Sequence, residues 1–249
     1  MKKSLLAVPV AMGVLLVASP AVINQVEASE ININQESIDY STIYAYFAEF
    51  NVPVEKQEIL LSKIKNGEQW DCYNPEKIAQ IPESFYDLDP LNFVQEKVYV
   101  FEDGSTTSVS LEVPQEQQKA IEARGSQNIN GGIDYWDIKI SKTIGTLSAY
   151  FYADFFLSQT TGKPSYINDV WGGNVSGFGV VSEPTTTIQR KTEDISKSRS
   201  ALAYSKWMVQ GTVNAGWGAF SGSIPYGSTC NLYLALIRGK VHVSPTLPY

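Results

Sequence analysis

The sequence predicts an α+β protein in which a small N-terminal helix-helix-hairpin module precedes an all-β, antiparallel, β-sandwich-like domain. Three observations predict this fold class. Two helix-length segments carry start and stop residues, an Asp-Gly pair separates two alternating runs near residue 104, and apolar residues recur at every second position from Ile133 onward. These features divide the chain into a module at residues 29–113, a linker at 114–132 and a sandwich domain at 133–249.

The first 28 residues have the pattern of a secretory signal peptide. Lys2 and Lys3 precede an apolar run from Leu5 to Val17, and the small-residue pattern Val26-Glu27-Ala28 follows. The run is shorter than the roughly 20 residues that a membrane-spanning helix needs. We therefore expect cleavage after about Ala28 and release of a secreted, extracellular protein.

Both helices of the module have recognisable ends. Asp39 is suited to cap a helix whose apolar face includes Ile43 and Phe47. Pro53 fits the start of a second helix, and Gly67 fits its left-handed stop. Two alternating runs around Asp103-Gly104 then predict a hairpin.

The stretch FNVPVEKQEILLSKIKNGEQWDCYNPEK, from Phe50 to Lys77, and the hairpin YVFEDGS, from Tyr99 to Ser105, resemble an N-terminal module of uncharacterised secreted proteins of Gram-positive bacteria. The resemblance implies export from a Gram-positive cell. It implies no activity and no catalytic or ligand-binding residue. A structural role, in a helix face, a cap or a turn, explains each of the shared positions. These positions are Val52, Gln57, Leu60, Lys63, Gly67, Trp70, Asp71, Asp103 and Gly104.

The period of two after Gly132 predicts half-buried antiparallel strands. Trp136, Ile138 and Ile140 alternate with polar residues, and after Gly145 a second set of apolar positions alternates from Leu147 to Leu157. Seven or eight such strands, separated by short breaks, are typical of a sandwich or a small barrel. We predict a sandwich, because the segment from Cys230 to Ile237 is apolar on both faces.

The formal charge of −7 disfavours nucleic acid and anionic membranes as partners, since both recruit stripes of Lys and Arg. The sequence also gives no reason to expect a cofactor. Cys72 and Cys230 are the only cysteines. In an exported protein they form either one disulfide, which would staple the two parts together, or two separate thiols.

Few enzyme classes fit this chain. His242 is its single histidine, so a catalytic triad or a multi-histidine zinc site would depend on that residue. We expect a structural or solvent-facing role for it.

Asp137 and Asp154 lie on adjacent predicted strands and are the candidate pair for a glycosidase. Asp134, Asp137 and Asp169 are too scattered to have the spacing of a calcium loop, and we predict no metal site and no catalytic residue.

Aromatic side chains make up 12% of the chain. On an exposed sheet face such rings form platforms for sugars, whereas in a small sandwich they more often fill the core. The candidate ligand-binding residues are Tyr150, Tyr152, Trp171, Tyr204 and Trp217.

The segment from Gly216 to Gly227 alternates Gly and Ser with Trp217 and Phe220. Its pattern fits a membrane-seeking hairpin, as in a pore-forming effector, or a strand with bulges. Membrane contact is expected, if anywhere, in this segment.

The leading hypothesis is a secreted, non-enzymatic β-sandwich that binds an unknown extracellular or cell-surface ligand, with a glycan as the candidate. The alternatives are a secreted antibacterial or pore-forming effector and a carbohydrate-active hydrolase.

Overall fold

A computed structural model describes residues 40–66, 68–92, 94–116, 118–119, 131–177, 180–211 and 229–246. The signal peptide predicted at residues 1–28, most of the predicted linker and the segment 216–227 lie outside these residues. None of the helices in the described ranges has both the length and the apolar character that crossing a bilayer requires.

The helices lie in the N-terminal part, as the sequence predicts. Helix α1 spans Ser41–Glu49, α2 spans Val54–Asn66 and the short α3 spans Pro75–Ile78. Tyr40 is the residue that caps α1, without a side-chain hydrogen bond, and both Asp39 and Gly67 lie outside the described residues. Short 3-10 helices occur at Asp71–Tyr73, Glu83–Phe85 and Ile195–Lys197.

Five strands form one antiparallel sheet in the order β2-β3-β4-β5-β6. Because β3 pairs with β4, the hairpin predicted for the N-terminal module belongs to the same sheet as the strands that follow it. The strands are β2 Val94–Val100, β3 Thr106–Glu112, β4 Gly132–Ile144, β5 Leu147–Ser158 and β6 Tyr166–Ser176.

Six strands form the second sheet, in the order β1-β11-β10-β9-β7, with β8 also paired to β9. Strand β1 comes from the N-terminal part of the chain but pairs with the C-terminal strand β11, where Asp87 lies opposite His242. The strands are β1 Asp87–Leu88, β7 Val180–Val181, β8 Thr185–Arg190, β9 Ala201–Gly211, β10 Thr229–Ile237 and β11 Lys240–Ser244.

The two sheets share one hydrophobic core, which confirms the predicted sandwich-like fold. Ile140 and Phe151 of the five-stranded sheet and Leu234 and Val243 of the six-stranded sheet are fully buried in a single cluster. Ile140 and Phe151 alternate with half-buried neighbours along their strands, which is the arrangement that two facing sheets require.

The predicted alternation of β4 breaks at one point. Trp136 shares parity with Ile138 but is 38% exposed, while Tyr135 is buried. A bulge between Tyr135 and Ile138 accommodates the extra residue, and Asp137 has a φ of +58° there. The bulge turns Trp136 outward, because one extra residue reverses the face of every side chain before it.

Lys142 is buried among the apolar side chains of the sandwich, on the same parity as Ile138 and Ile140. Its ammonium lies 5.2 Å from the centroid of the Tyr86 ring. Burial lowers the pKa of Lys142 to about 7, since a low-polarity surrounding disfavours the charged form.

Candidate functional site on the outer sheet faces

Three of the predicted aromatic residues lie together on the outer face of the five-stranded sheet. The rings of Tyr152 and Trp171 stack at 18°, with 6.1 Å between centroids, and Tyr152 meets Tyr150 edge to face at 5.7 Å. The strands bring the three rings together, because Tyr152 lies opposite Trp171 on the neighbouring strand and Tyr150 is two residues away on the same face of β5. All three side chains are half-buried. We call Tyr150, Tyr152 and Trp171 the aromatic row.

Charged groups lie beside this aromatic row. The Lys139 ammonium stands 5.0 Å from the centroid of the Tyr150 ring. On the other side of Tyr152 along β5 lies Asp154, whose carboxylate accepts a 2.8 Å hydrogen bond from the backbone N–H of Asp137. Asp169 faces Asp154 across the strands. The two predicted glycosidase carboxylates, Asp137 and Asp154, are thus neighbours.

The environment of Asp154 raises the pKa of its carboxyl group above the usual value. Burial is the largest cause that raises its pKa, and the nearby carboxylates of Asp137 and Asp169 raise it further, against the lowering effect of the Asp137 N–H. A carboxyl group with a raised pKa is able to donate a proton.

The remaining two aromatic candidates do not join the aromatic row. Tyr204 lies on β9 in the six-stranded sheet, where its ring meets that of Tyr233 at 5.6 Å. Trp217 lies outside the described residues.

Both cysteines are free thiols, so the structure has the second of the two predicted states and no disulfide. Cys72 is fully buried in the 3-10 helix under α1 and α2, and its backbone N–H is bonded to Ser105 Oγ. Cys230 is half-buried on β10. It lies opposite Trp207 of β9.

We expected a structural or solvent-facing role for His242. The structure contradicts the solvent-facing alternative, because the side chain is buried and has acidic neighbours. Its side chain is 6% exposed, and its Nδ1 lies 3.0 Å from Asp87 Oδ1. Its Nε2 lies 3.3 Å from Glu83 Oε1 but makes no hydrogen bond with any described residue. These groups line a cleft of about 370 Å³. We call it the His242 cleft; it is lined by Glu83, Asp87, Ser200, Ala235, Ile237, Arg238, Lys240 and His242.

The acidic side of the His242 cleft is partly neutralised. Lys240 Nζ donates a 3.0 Å hydrogen bond to Asp87 Oδ2. Burial alone would raise the pKa of Asp87, but the hydrogen bonds from His242 and Lys240 lower it below its usual value. Asp87 is therefore a carboxylate that holds the imidazole in place through Nδ1.

No group of three or more His, Cys, Asp or Glu side chains within the described ranges is arranged to hold a metal ion.

The residues that carry the resemblance form a structural network in the N-terminal part. Lys63 Nζ pairs with Asp71 at 2.9 Å and with Asp103 at 2.8 Å. Gln57 Nε2 donates to the Val52 carbonyl. These bonds connect helix, 3-10 helix and hairpin, which agrees with the structural reading of the pattern.

The His242 cleft was not predicted from the sequence. Lys240, His242 and Ser244 alternate with Val241 and Val243, so one polar strand face was visible. The partner Asp87 lies 155 residues away in the chain. Nothing in the local pattern connects two such distant strands.

Comparisons with protein-family models, with curated proteins and with solved structures found no match to this chain.

Proposed function

We propose that this protein is a secreted, non-enzymatic β-sandwich module that binds carbohydrate outside the cell or at the cell surface. The ligand lies along the aromatic row on the outer face of the five-stranded sheet.

One observation carries the proposal: Tyr152 and Trp171 stack nearly in parallel on a sheet face, and Tyr150 extends them along the strand. A fully packed core would have hidden these rings, but all three are half-buried. The C–H faces of a sugar ring pack on aromatic rings of this kind. Neighbouring groups that can bond hydroxyls include Lys139 and Asp154, and such a mixture of rings and a few polar groups is typical of ligand sites.

The test is binding to a glycan array, followed by pull-down on peptidoglycan, chitin and xylan. Trp171→Ala and Tyr152→Ala each should weaken retention by at least about tenfold, which corresponds to about 1.4 kcal/mol. Tyr44→Ala is the matched control, because Tyr44 is an aromatic residue of α1 that is 54% exposed. Absence of any retained glycan, or equal retention by all variants, would refute the proposal.

A second candidate function on the same surface is glycoside hydrolysis. Asp154, with its raised pKa, would act as the acid and a neighbouring carboxylate as its partner. Asp154→Asn distinguishes the two functions. Loss of sugar turnover with retained binding indicates a hydrolase, whereas no turnover in the parent protein leaves the binding module.

Export is part of the proposal and has its own test. Expression of the full chain in a Gram-positive host should release a protein into the medium whose first residue, by mass spectrometry, follows Ala28. Retention of the full-length chain inside the cell contradicts it.

A further inference from the structure

Two hydrogen-bond acceptors in the His242 cleft point to a missing donor. In the tautomer whose Nδ1–H donates to Asp87 Oδ1, Nε2 of His242 is an acceptor with a lone pair. That lone pair lies 3.3 Å from Glu83 Oε1, and Nε2 is buried without a hydrogen-bond partner in the described part of the chain. Buried polar atoms in native proteins are nearly always satisfied by a partner. An ammonium group has three N–H donors and satisfies both acceptors at once.

Two cationic side chains also line the cleft. Lys240 is two residues before His242 on β11, about 7 Å along the strand, and its ammonium is already paired with Asp87. Arg238 follows in the β10–β11 turn, where its φ is +51°. Its side chain is exposed and makes no ion pair with any described residue. A guanidinium in this position is suited to a carboxylate.

Two apolar side chains contribute to the wall of the cleft beside Ser200. Ala235 lies opposite His242 in register, and Ile237 follows it on the same strand face. The cleft volume of about 370 Å³ is at the small end of the range for ligand sites. It suits a molecule of a few to some fifteen heavy atoms with an aliphatic part.

We propose that the His242 cleft binds a small zwitterion, an amino acid or a dipeptide, with its ammonium between Glu83 and His242 and its carboxylate on Arg238. The site is separate from the aromatic row, because His242 lies on the other sheet, Glu83 in a 3-10 helix and Arg238 in the β10–β11 turn.

The single histidine of the chain makes a direct test possible. The imidazole C–H signals in an NMR spectrum of the full protein belong to His242, so they report binding without assignment ambiguity. Titration with L-leucine and with glycyl-L-leucine should shift these signals in a saturable manner, and the tighter of the two identifies the ligand length. N-acetyl-L-leucine, which lacks the ammonium, and L-leucinamide, which lacks the carboxylate, should each bind at least about tenfold more weakly.

Variants connect the binding to the proposed groups. Glu83→Gln and Arg238→Gln should each weaken binding by at least about tenfold, and both positions are exposed enough to leave the fold unchanged. Glu96→Gln and Arg199→Gln, which alter exposed side chains elsewhere, should have no effect.

Three outcomes overturn the proposal. One is the absence of any shift of the His242 signals up to millimolar ligand. Another is equal binding of N-acetyl-L-leucine and L-leucine. The last is binding that Glu83→Gln and Arg238→Gln leave unchanged.

Discussion

The ammonium group of Lys63 on α2 lies 2.8 Å from the carboxylate of Asp103 in the hairpin turn. The same carboxylate accepts hydrogen bonds from the backbone N–H of Asp71 at 2.8 Å and from the N–H and hydroxyl of Ser105 at 2.9 and 2.6 Å. Its side chain is only 4% exposed. One carboxylate therefore connects a helix, a 3-10 helix and the β2–β3 turn.

We predict that Asp103→Asn lowers the free energy of unfolding by roughly 2 to 4 kcal/mol, because Lys63 would lose a buried counter-charge and the donors would lose an acceptor. Urea unfolding at neutral pH measures this. Glu96→Gln, at an exposed site on β2, is the control and should change stability by less than about 0.5 kcal/mol. An equal effect of the two substitutions would show that the network contributes nothing.

The same carboxylate predicts a loss of stability in acid. Burial alone would raise the pKa of Asp103, but the Lys63 ammonium and the surrounding N–H and O–H donors lower it below its usual value. A carboxyl with a depressed folded pKa contributes stability above its unfolded pKa, about 3.9, and loses it as the pH falls through the folded value. The stability difference between the parent and Asp103→Asn should therefore shrink below about pH 4. A difference that is the same at pH 3 and pH 7 contradicts this assignment.

Lys142 predicts a pH dependence of the same direction as Asp103, but in a neutral to alkaline window. Burial lowers its folded pKa to about 7, whereas the unfolded chain holds the proton up to about 10.4. The unfolded state therefore binds more protons between these values, so the contribution of this residue to stability rises with pH across that window. Lys142→Met should stabilise the protein by roughly 2 to 4 kcal/mol more at pH 6 than at pH 10.

Lys206→Met is the matched control for Lys142, because the Lys206 side chain is exposed on β9 and its charge remains in water. Thermal unfolding of both variants at several pH values makes the comparison. If Lys142→Met and Lys206→Met depend on pH in the same way, Lys142 carries no buried charge.

Local patterns predicted much of the fold. The apolar alternation from Leu147 to Leu157 became β5, and Asp103-Gly104 became the β2–β3 turn. Lys142 shares the parity of Ile138 and Ile140 and is buried with them, a position that was not predicted. Contacts between strands that are distant in the chain could not be predicted from local patterns. The pairing of Asp87 with His242, for example, depends on β1 joining the sheet beside β11. The aromatic row was predicted residue by residue, but its stacking depends on the β5–β6 register.

The two thiols are predicted to differ in reactivity. Burial raises the pKa of the Cys72 thiol well above its usual value. It also raises the pKa of Cys230, which is only half-buried. The thiolate is the reactive form of a cysteine. In native buffer Ellman's reagent should therefore label at most one thiol, Cys230, and should label both in guanidinium. Cys230→Ser should remove the native reaction. If unfolding releases no thiol until a reductant is added, the two cysteines are bonded to each other.

Gly172 controls the stack of Tyr152 on Trp171. Its φ is +66°, and a Cβ there would lie 2.9 Å from Tyr152 Cδ2, closer than such atoms approach in proteins. Gly172→Ala should therefore displace the Tyr152 ring and loosen the stack, with a cost from backbone strain of about 1 kcal/mol and a further 1 to 2 kcal/mol, roughly, from the contact.

Gly162→Ala separates these two costs, because Gly162 has a φ of +80° and no atom within 4 Å of its Cβ position. It should lose only the strain energy in urea unfolding. The near-UV circular dichroism of Gly172→Ala should change, since it reports the packing of aromatic rings, while that of Gly162→Ala should match the parent. Glycan retention should fall in Gly172→Ala alone, because the sugar face needs Tyr152 and Trp171 in parallel. Equal destabilisation with unchanged circular dichroism in both variants would mean that the stack does not depend on the backbone at Gly172.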